Sequence, residues 1–139
     1  MKIINSSISL QTKGFCDVKD ITEEISDLVK KYGVKNGHVL IFVAGSTGGL
    51  TTIEYEPNLI KDFKEIIEKI IPSSKSYHHD STWGDGNGFS HLRASLIGSS
   101  LVVPISEGKL LLGTWQQIVF IDFDNRPRRR EIKVQISGE

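Results

Sequence analysis

The chain has 139 residues, with 17 Lys and Arg against 17 Asp and Glu, 38% hydrophobic residues and one cysteine. That length fits a single domain over residues 1–139 that buries roughly 70% of the surface its unfolded chain exposes, and the formal charge of zero argues against a protein whose main work is coating nucleic acid or an anionic membrane. Cys16 alone excludes an intramolecular disulfide and a zinc site built on several thiolates, and it points to a reducing, cytoplasmic setting.

Met1 to Leu10 lacks the basic and apolar regions of a secretory signal, and no apolar run approaches the roughly 18 residues that a membrane-spanning helix needs. Ile4, Ser6, Ile8 and Leu10 alternate with Asn5, Ser7 and Ser9, the period of a half-buried strand. Asp20 with Glu23 three residues on reads as a capping box, ahead of a helix that gathers Ile21, Ile25, Leu28 and Val29 on one face and closes at Gly33. His38 to Ala44 is an apolar run too short for a helix; it reads as a buried central strand, with His38 a structural residue at its start. The run leaves through Gly45-Ser46-Thr47-Gly48-Gly49 into a short strand over Thr51 to Tyr55. Pro57 suits the first position of a second helix, whose stripe of Leu59, Ile60, Phe63, Ile66, Ile67, Ile70 and Ile71 ends at Pro72. Ser73 to Ser90 is polar and glycine-rich, an irregular length more often functional than idle. Strands are expected at His91–Ile97, Leu101–Ile105, Lys109–Gly113, Gln116–Asp122 and Arg129–Ile136, with Glu107-Gly108 and Asp124-Asn125 as hairpin turns. Two main helices and a largely antiparallel sheet make the fold class α+β, in one compact domain.

The densest chemistry lies in Tyr77-His78-His79-Asp80, Trp83 to Gly88 and Ser90-His91. Imidazole is both a neutral metal ligand and a proton carrier near neutral pH, and Asp85 and Asn87, set among glycines, can turn back toward a ligand. If that stretch is extended, His78 and His79 point opposite ways and only one faces a site. An open zinc site needs about three protein ligands, for which Glu54 is the candidate beside His79 and His91. The loop at Gly45 to Gly49 can offer backbone N–H groups and the hydroxyls of Ser46 and Thr47 to a phosphate, although it lacks the lysine and following helix of a P-loop. Cys16 shows no sign of activation. Trp115 reads as core, whereas Gln116 can aim a donor into a pocket. Arg126 to Arg130, interrupted only by Pro127, reads as a solvated turn; nucleic-acid binding is the second reading, weakened by the neutral total charge.

Gly45 to Glu54, the His79-Asp80 to Asn87 to His91 stretch, Gly98-Ser99-Ser100-Leu101 and Leu112-Gly113-Thr114-Trp115-Gln116 together resemble the YjbQ-like family, described as secondary thiamine-phosphate synthases. The resemblance spans nearly the whole chain. It implies a compact α+β homotrimer with polar clefts near subunit boundaries, and an enzyme that joins an aminopyrimidine diphosphate to a thiazole phosphate with release of pyrophosphate. Carried onto this sequence, it marks His79 and His91 as the spaced histidines, Asn87 as the polar position between them, Glu54 as the acid after the Ser-Thr loop and Trp115-Gln116 as the late motif. A divalent ion, zinc or magnesium, is the implied cofactor. Gly48-Gly49 stand where relatives often carry small non-glycine residues, which predicts a more mobile loop. Two other readings stay open: a metal-dependent hydrolase or lyase acting on a small phosphorylated or carbonyl substrate through His79, His91 and Glu54, and a non-catalytic module using Arg126 to Arg130 on an anionic partner.

Overall fold

A computed structural model describes every residue from Met1 to Glu139. Two antiparallel sheets are stacked, and they are built from strands scattered along the chain. The larger takes β1 (Lys2–Thr12), β8 (Arg128–Gly138), β3 (Gly37–Val43), β5 (Ser100–Ser106) and β6 (Lys109–Leu110) in that spatial order. The smaller is β2 (Asp17–Asp20), β7 (Gln117–Asp122) and β4 (Gly48–Ile53). The helices are α1 (Thr22–Tyr32), α2 (Pro57–Ile70), the single turn α3 (Asp80–Trp83) and α4 (Gly88–Ile97). None is long and apolar enough to cross a membrane.

The alternating pattern of β1 pairs it over its full length with β8, from Lys2 opposite Gly138 to Thr12 opposite Arg128. On β8, Ile132, Val134 and Ile136 turn inward and Glu131 and Lys133 outward, as the period-2 reading requires. β3 is the middle strand of the large sheet, yet only Val39, Ile41 and Val43 are buried; Phe42 is 40% exposed and His38 lies in solvent on the outer face. The strand buried on both faces is β7, in which Ile118, Val119, Phe120 and Ile121 are all enclosed. Ile118 and Phe120 face the large sheet and α1, whereas Val119 and Ile121 face a second core made with Cys16, Val18, Ile67 and Ala94. The smaller sheet is therefore the filling between the larger sheet and the helical layer of α2 and α4.

Local signals explain the helix ends. Glu56 caps α2 by accepting from the Leu59 N–H at 2.7 Å, with Pro57 as first residue. At α1 the expected capping box is not formed: Asp20 accepts from the Thr22 N–H and hydroxyl, and Glu23 makes no return bond. Gly33 closes α1 in the left-handed region.

Three expectations are corrected. His91–Ile97 is helix rather than strand, because Phe89, Ser90, Arg93 and Ala94 are the buried residues of this segment and they share one helical face. Asp124-Asn125 is not a hairpin turn; it carries the chain from β7 in one sheet to β8 in the other. Of Lys109–Gly113 only Lys109 and Leu110 pair, opposite Ser106 and Ile105.

The crossing between sheets is held by a tight loop after β1. Gly14 has φ +79°, and a Cβ there would lie 2.6 Å from the Asp124 carbonyl oxygen and 2.7 Å from that of Arg126. Gly14→Ala is expected to destabilise the fold by more than about 1 kcal/mol in urea unfolding, since both the backbone angle and the space forbid a side chain; an unchanged midpoint would contradict this close approach.

Candidate functional site

Where β4 begins, it lies against α4, and a cleft of about 400 Å³ opens between the loop and the helix, lined by Gly45, Ser46, Gly48, His91, Ser95 and Ser99 among others. Glycine permits the approach. A Cβ on Gly48 would fall 2.6 Å from the Phe120 ring and one on Gly49 2.8 Å from Ile97. The glycine pair is packed where the loop meets β4: Gly48 and Gly49 are buried, the Leu50 N–H donates to the Gly98 carbonyl at 3.0 Å, and the Phe123 N–H donates to that of Thr47 at 2.9 Å.

Two imidazoles stand together beside this loop, with His79 and His91 ring centres 4.5 Å apart and their planes tilted by 43°. Asp80 brings them there. Its carboxylate accepts from the Tyr77 N–H at 3.0 Å and from the Gly88 N–H at 2.9 Å, which ties the turn carrying His79 to the first residue of the helix carrying His91. Those two N–H groups hold the Asp80 carboxyl below its ordinary value. Gly88 has no room for a side chain, with Tyr77 Cβ at 2.8 Å from its would-be Cβ and His79 Cβ at 3.3 Å. His78 is exposed, so His79 is the inward member of the pair. Two polar atoms here are enclosed without a partner, His79 Nδ1 and Asn87 Oδ1.

Beneath the loop is a charged layer that the sequence reading missed. Arg130 grips Asp122 through Nε at 2.7 Å and Nη2 at 2.9 Å, with Asp122 fully buried and the arginine side chain 8% exposed. Nη2 also donates to the Thr47 hydroxyl at 2.7 Å, and that hydroxyl donates to Asp124 at 3.3 Å. Asp124 accepts further from the Asn87 amide at 3.2 Å and from Arg128 at 2.7 Å. Burial pushes the Asp124 carboxyl up, but the Asn125 N–H, the Asn87 amide and the Arg128 charge more than offset it and leave it below its ordinary value. The available signal was spacing: Asp122 and Asp124 stand two residues apart at the end of an apolar run, and Arg128 and Arg130 two residues apart at the start of the next strand.

The other expected residues are placed as follows. Thr47 is buried with its hydroxyl engaged on both sides, so its side chain is structural and Ser46 alone offers a hydroxyl from the loop. Asp85 is exposed and meets its surroundings through its carbonyl, which accepts from the Asn125 amide at 2.7 Å. Glu54 and Trp115 line a different cleft, of about 380 Å³, with Tyr55, Glu56 and Thr114. Trp115 is 73% exposed, not core. Gln116 lies on the same side, donating to the Thr52 hydroxyl at 3.1 Å and accepting from the Gly113 N–H at 3.0 Å. From Gly48 to Glu54 the chain runs along extended β4, roughly 20 Å at the rise of a strand, so one chain does not bring Glu54 to the histidines. No group of three or more His, Cys, Asp or Glu side chains is placed to hold a metal, and the expected set of His79, His91 and Glu54 is not assembled within one chain. Cys16 is buried and its thiol is pushed up to about 11 by that burial, in keeping with its expected lack of activation.

Two stacked antiparallel sheets backed by helices, with paired imidazoles over a glycine loop, define an α+β domain with one polar cleft at the loop–helix junction. The chain belongs to the UPF0047 YjbQ-like family, whose model matches residues 6–139. It is 39% identical over 128 residues to a UPF0047 protein of Archaeoglobus fulgidus, covering 92% of this chain and 97% of that one. A UPF0047 protein of Methanothermobacter thermautotrophicus is 35% identical, over 100% of this chain and 95% of its own. Among solved structures, a YbjQ-like protein of unknown function from Sulfolobus solfataricus superposes with a TM-score of 0.94 at 37% identity, covering 99% of each chain. A hypothetical protein from Aeropyrum pernix gives 0.91 at 30%, over 98% of this chain and 99% of that one.

Because the Asp80 carboxyl lies below its ordinary value, its contribution to stability is present above about pH 4 and is lost as pH falls through and below that value. Asp80→Asn is expected to be less stable than wild type at pH 7, with the gap narrowing by pH 3 in paired urea titrations. A gap independent of pH would contradict the capping role.

Proposed function

We propose that the chain is an enzyme of the thiamine-phosphate synthase type, working on small phosphorylated substrates in the cleft between the Gly45–Gly48 loop and α4. One observation carries the reading: a cleft that sets His91, with the tilted His79 ring centred 4.5 Å from its own, against a glycine loop offering a free Ser46 hydroxyl. In that reaction the thiazole nitrogen attacks the carbon bearing the diphosphate of the aminopyrimidine. A C–N bond forms as the C–O bond breaks, and pyrophosphate leaves with the electron pair. The barrier lies in developing negative charge on the leaving group, which directed donors stabilise. His91 and Ser46 line the cleft and are the donors placed for it, while His79 bears on His91 and sets its orientation. Asn87 acts through Asp124 and as the residue entering α4, so its part is positioning.

Glu54, Trp115 and Gln116 lie about a strand's length from this cleft, and we infer that they join it across a boundary between copies of the chain in a homotrimer. The exposed Trp83, Leu92, Leu96 and Val102 provide apolar surface for such contacts. The lone cysteine fits a reducing compartment, which we take to be the cytoplasm. The second reading, a metal-dependent hydrolase or lyase, draws on the unpartnered His79 Nδ1 and Asn87 Oδ1, both able to accept from or ligate a cation. Within one chain an ion would find two imidazoles and an amide oxygen rather than three strong ligands, so zinc or magnesium would need the substrate, water or another subunit to complete its shell. Nucleic-acid binding has less to work with, since Arg128 and Arg130 are engaged on carboxylates.

Purified protein supplied with the two phosphorylated precursors is expected to form thiamine phosphate, with at least a tenfold loss in His79→Ala that keeps its thermal midpoint, and a parallel run with chelator reports whether an ion takes part. Absence of product in wild type, or equal rates in both proteins, would overturn the reading or the assignment of His79 respectively.

A further inference from the structure

Arg130 uses two of its three guanidinium nitrogens inside the protein: Nε and Nη2 hold Asp122, and Nη2 also holds Thr47. Nη1 has no partner in the chain, and it is not among the enclosed unpartnered atoms, so it keeps an opening to solvent. What lies over it is Gly45. A Cβ built on Gly45 would lie 3.5 Å from Nη1, an ordinary contact, with Val43 Cγ2 next at 3.9 Å. Gly45 is not in the left-handed region either. Neither backbone angle nor crowding calls for glycine at this position. What its missing side chain provides is a guanidinium edge left uncovered next to Gly45, which with Ser46 lines the cleft.

We propose that Arg130 Nη1, together with the hydroxyl of Ser46, the residue next to Gly45, anchors a phosphoryl group of the ligand that enters this cleft. The sequence reading placed Arg130 in a solvated basic turn; the fold instead makes it a fixed, nearly buried donor. Its orientation is set by the two-point grip of Asp122, so the free edge does not have to be ordered when the ligand arrives. Ser46 and Ser99 add hydroxyls that take no partner in the chain, and Ser95 is anchored by donating to the His91 carbonyl at 2.8 Å. Arg130 with Asp122 and Arg128 with Asp124 are balanced pairs, so the layer carries no net charge to repel an anion, and recognition rests on directed hydrogen bonds. The inference rests on reading the cleft as the substrate site, though not on the identity of the product.

The test titrates inorganic phosphate and pyrophosphate into protein carrying 15N-labelled arginine, following the guanidinium signals and the heat of binding. Saturable binding that moves the Arg130 signals is expected. Gly45→Leu, which covers Nη1 with neutral bulk on an exposed loop, and Ser46→Ala should each weaken phosphate by roughly tenfold, the effect of losing a hydrogen bond to a charged group. Arg129→Ala removes a charge one residue away on the opposite face of β8 and should change the affinity less than twofold. Arg130→Lys retains a charge but not the fork, and its thermal midpoint is read alongside. No saturable binding by wild type, unmoved Arg130 signals, or full affinity in Gly45→Leu would each overturn the proposal. Phosphate held through Arg130 without any thiamine phosphate formed would leave this site standing and remove the synthase reading. Thiamine phosphate formed by Gly45→Leu as fast as by wild type would do the reverse.

Discussion

The bidentate ion pair between Arg130 and Asp122 is the contact on which the site's geometry depends. Asp122 ends β7 in the small sheet and Arg130 lies near the start of β8 in the large one, so the pair joins the two sheets at the end where the candidate site lies. Asp122 is fully withdrawn from water and Arg130 nearly so, at 8% exposure. In that setting the attraction roughly offsets desolvation, but removing one partner strands the other and costs about 3–5 kcal/mol. Thr12 donates to the same carboxylate from β1 at 2.5 Å, so three strands of two sheets meet on one aspartate. The Arg130 guanidinium then reaches Thr47, and Thr47 reaches Asp124, which receives Asn87 at the threshold of α4. A chain of polar contacts thus runs from the sheet crossing to the helix that carries His91.

The second constraint is steric. β4 approaches α4 and the core closely enough that side chains at positions 48 and 49 would collide with Phe120 and Ile97. The loop preceding β4 is held at its start by the Val43 N–H on the Ser99 carbonyl and at its end by Thr47, and its exposed residues, Gly45 and Ser46, face the cleft from those anchors. Asp80 does the equivalent work on the other wall, accepting N–H groups from two short segments that otherwise have little holding them together. Both walls of the cleft are thus held by contacts that lie outside the cleft itself.

Much of the fold was legible because hydrophobic period and end signals agreed. The stripe of α2, its start at Pro57 and the alternation of β1 and β8 are unambiguous. α4 was misread because two of its buried positions are Ser90 and Arg93. Ser90 is buried by donating to the Phe123 carbonyl and Arg93 by pairing with Glu68 and lying over Phe89, so the helical stripe does not look apolar. The apolar run of β3 reads as a buried central strand, yet its outer face carries the half-buried Leu40 and the exposed Phe42. At the site, the histidines and Asn87 could be named from their types, but their meeting depends on Asp80 capping a helix that had been read as a strand. Arg130 looked like one more charge in a basic run, and only its burial and its partner Asp122, from a strand of the other sheet, reveal its place. Glu54 was grouped with the histidines by type and by resemblance, whereas the extended path of β4 sets it apart within one chain.

The most direct test is a crystal structure of the protein grown or soaked with thiamine phosphate. The product's phosphate should lie between the Ser46 hydroxyl and Arg130 Nη1, with the rest of the molecule within reach of His91. Product seated only beside Glu54 and Trp115, with the cleft at α4 holding solvent, would contradict this account of the site.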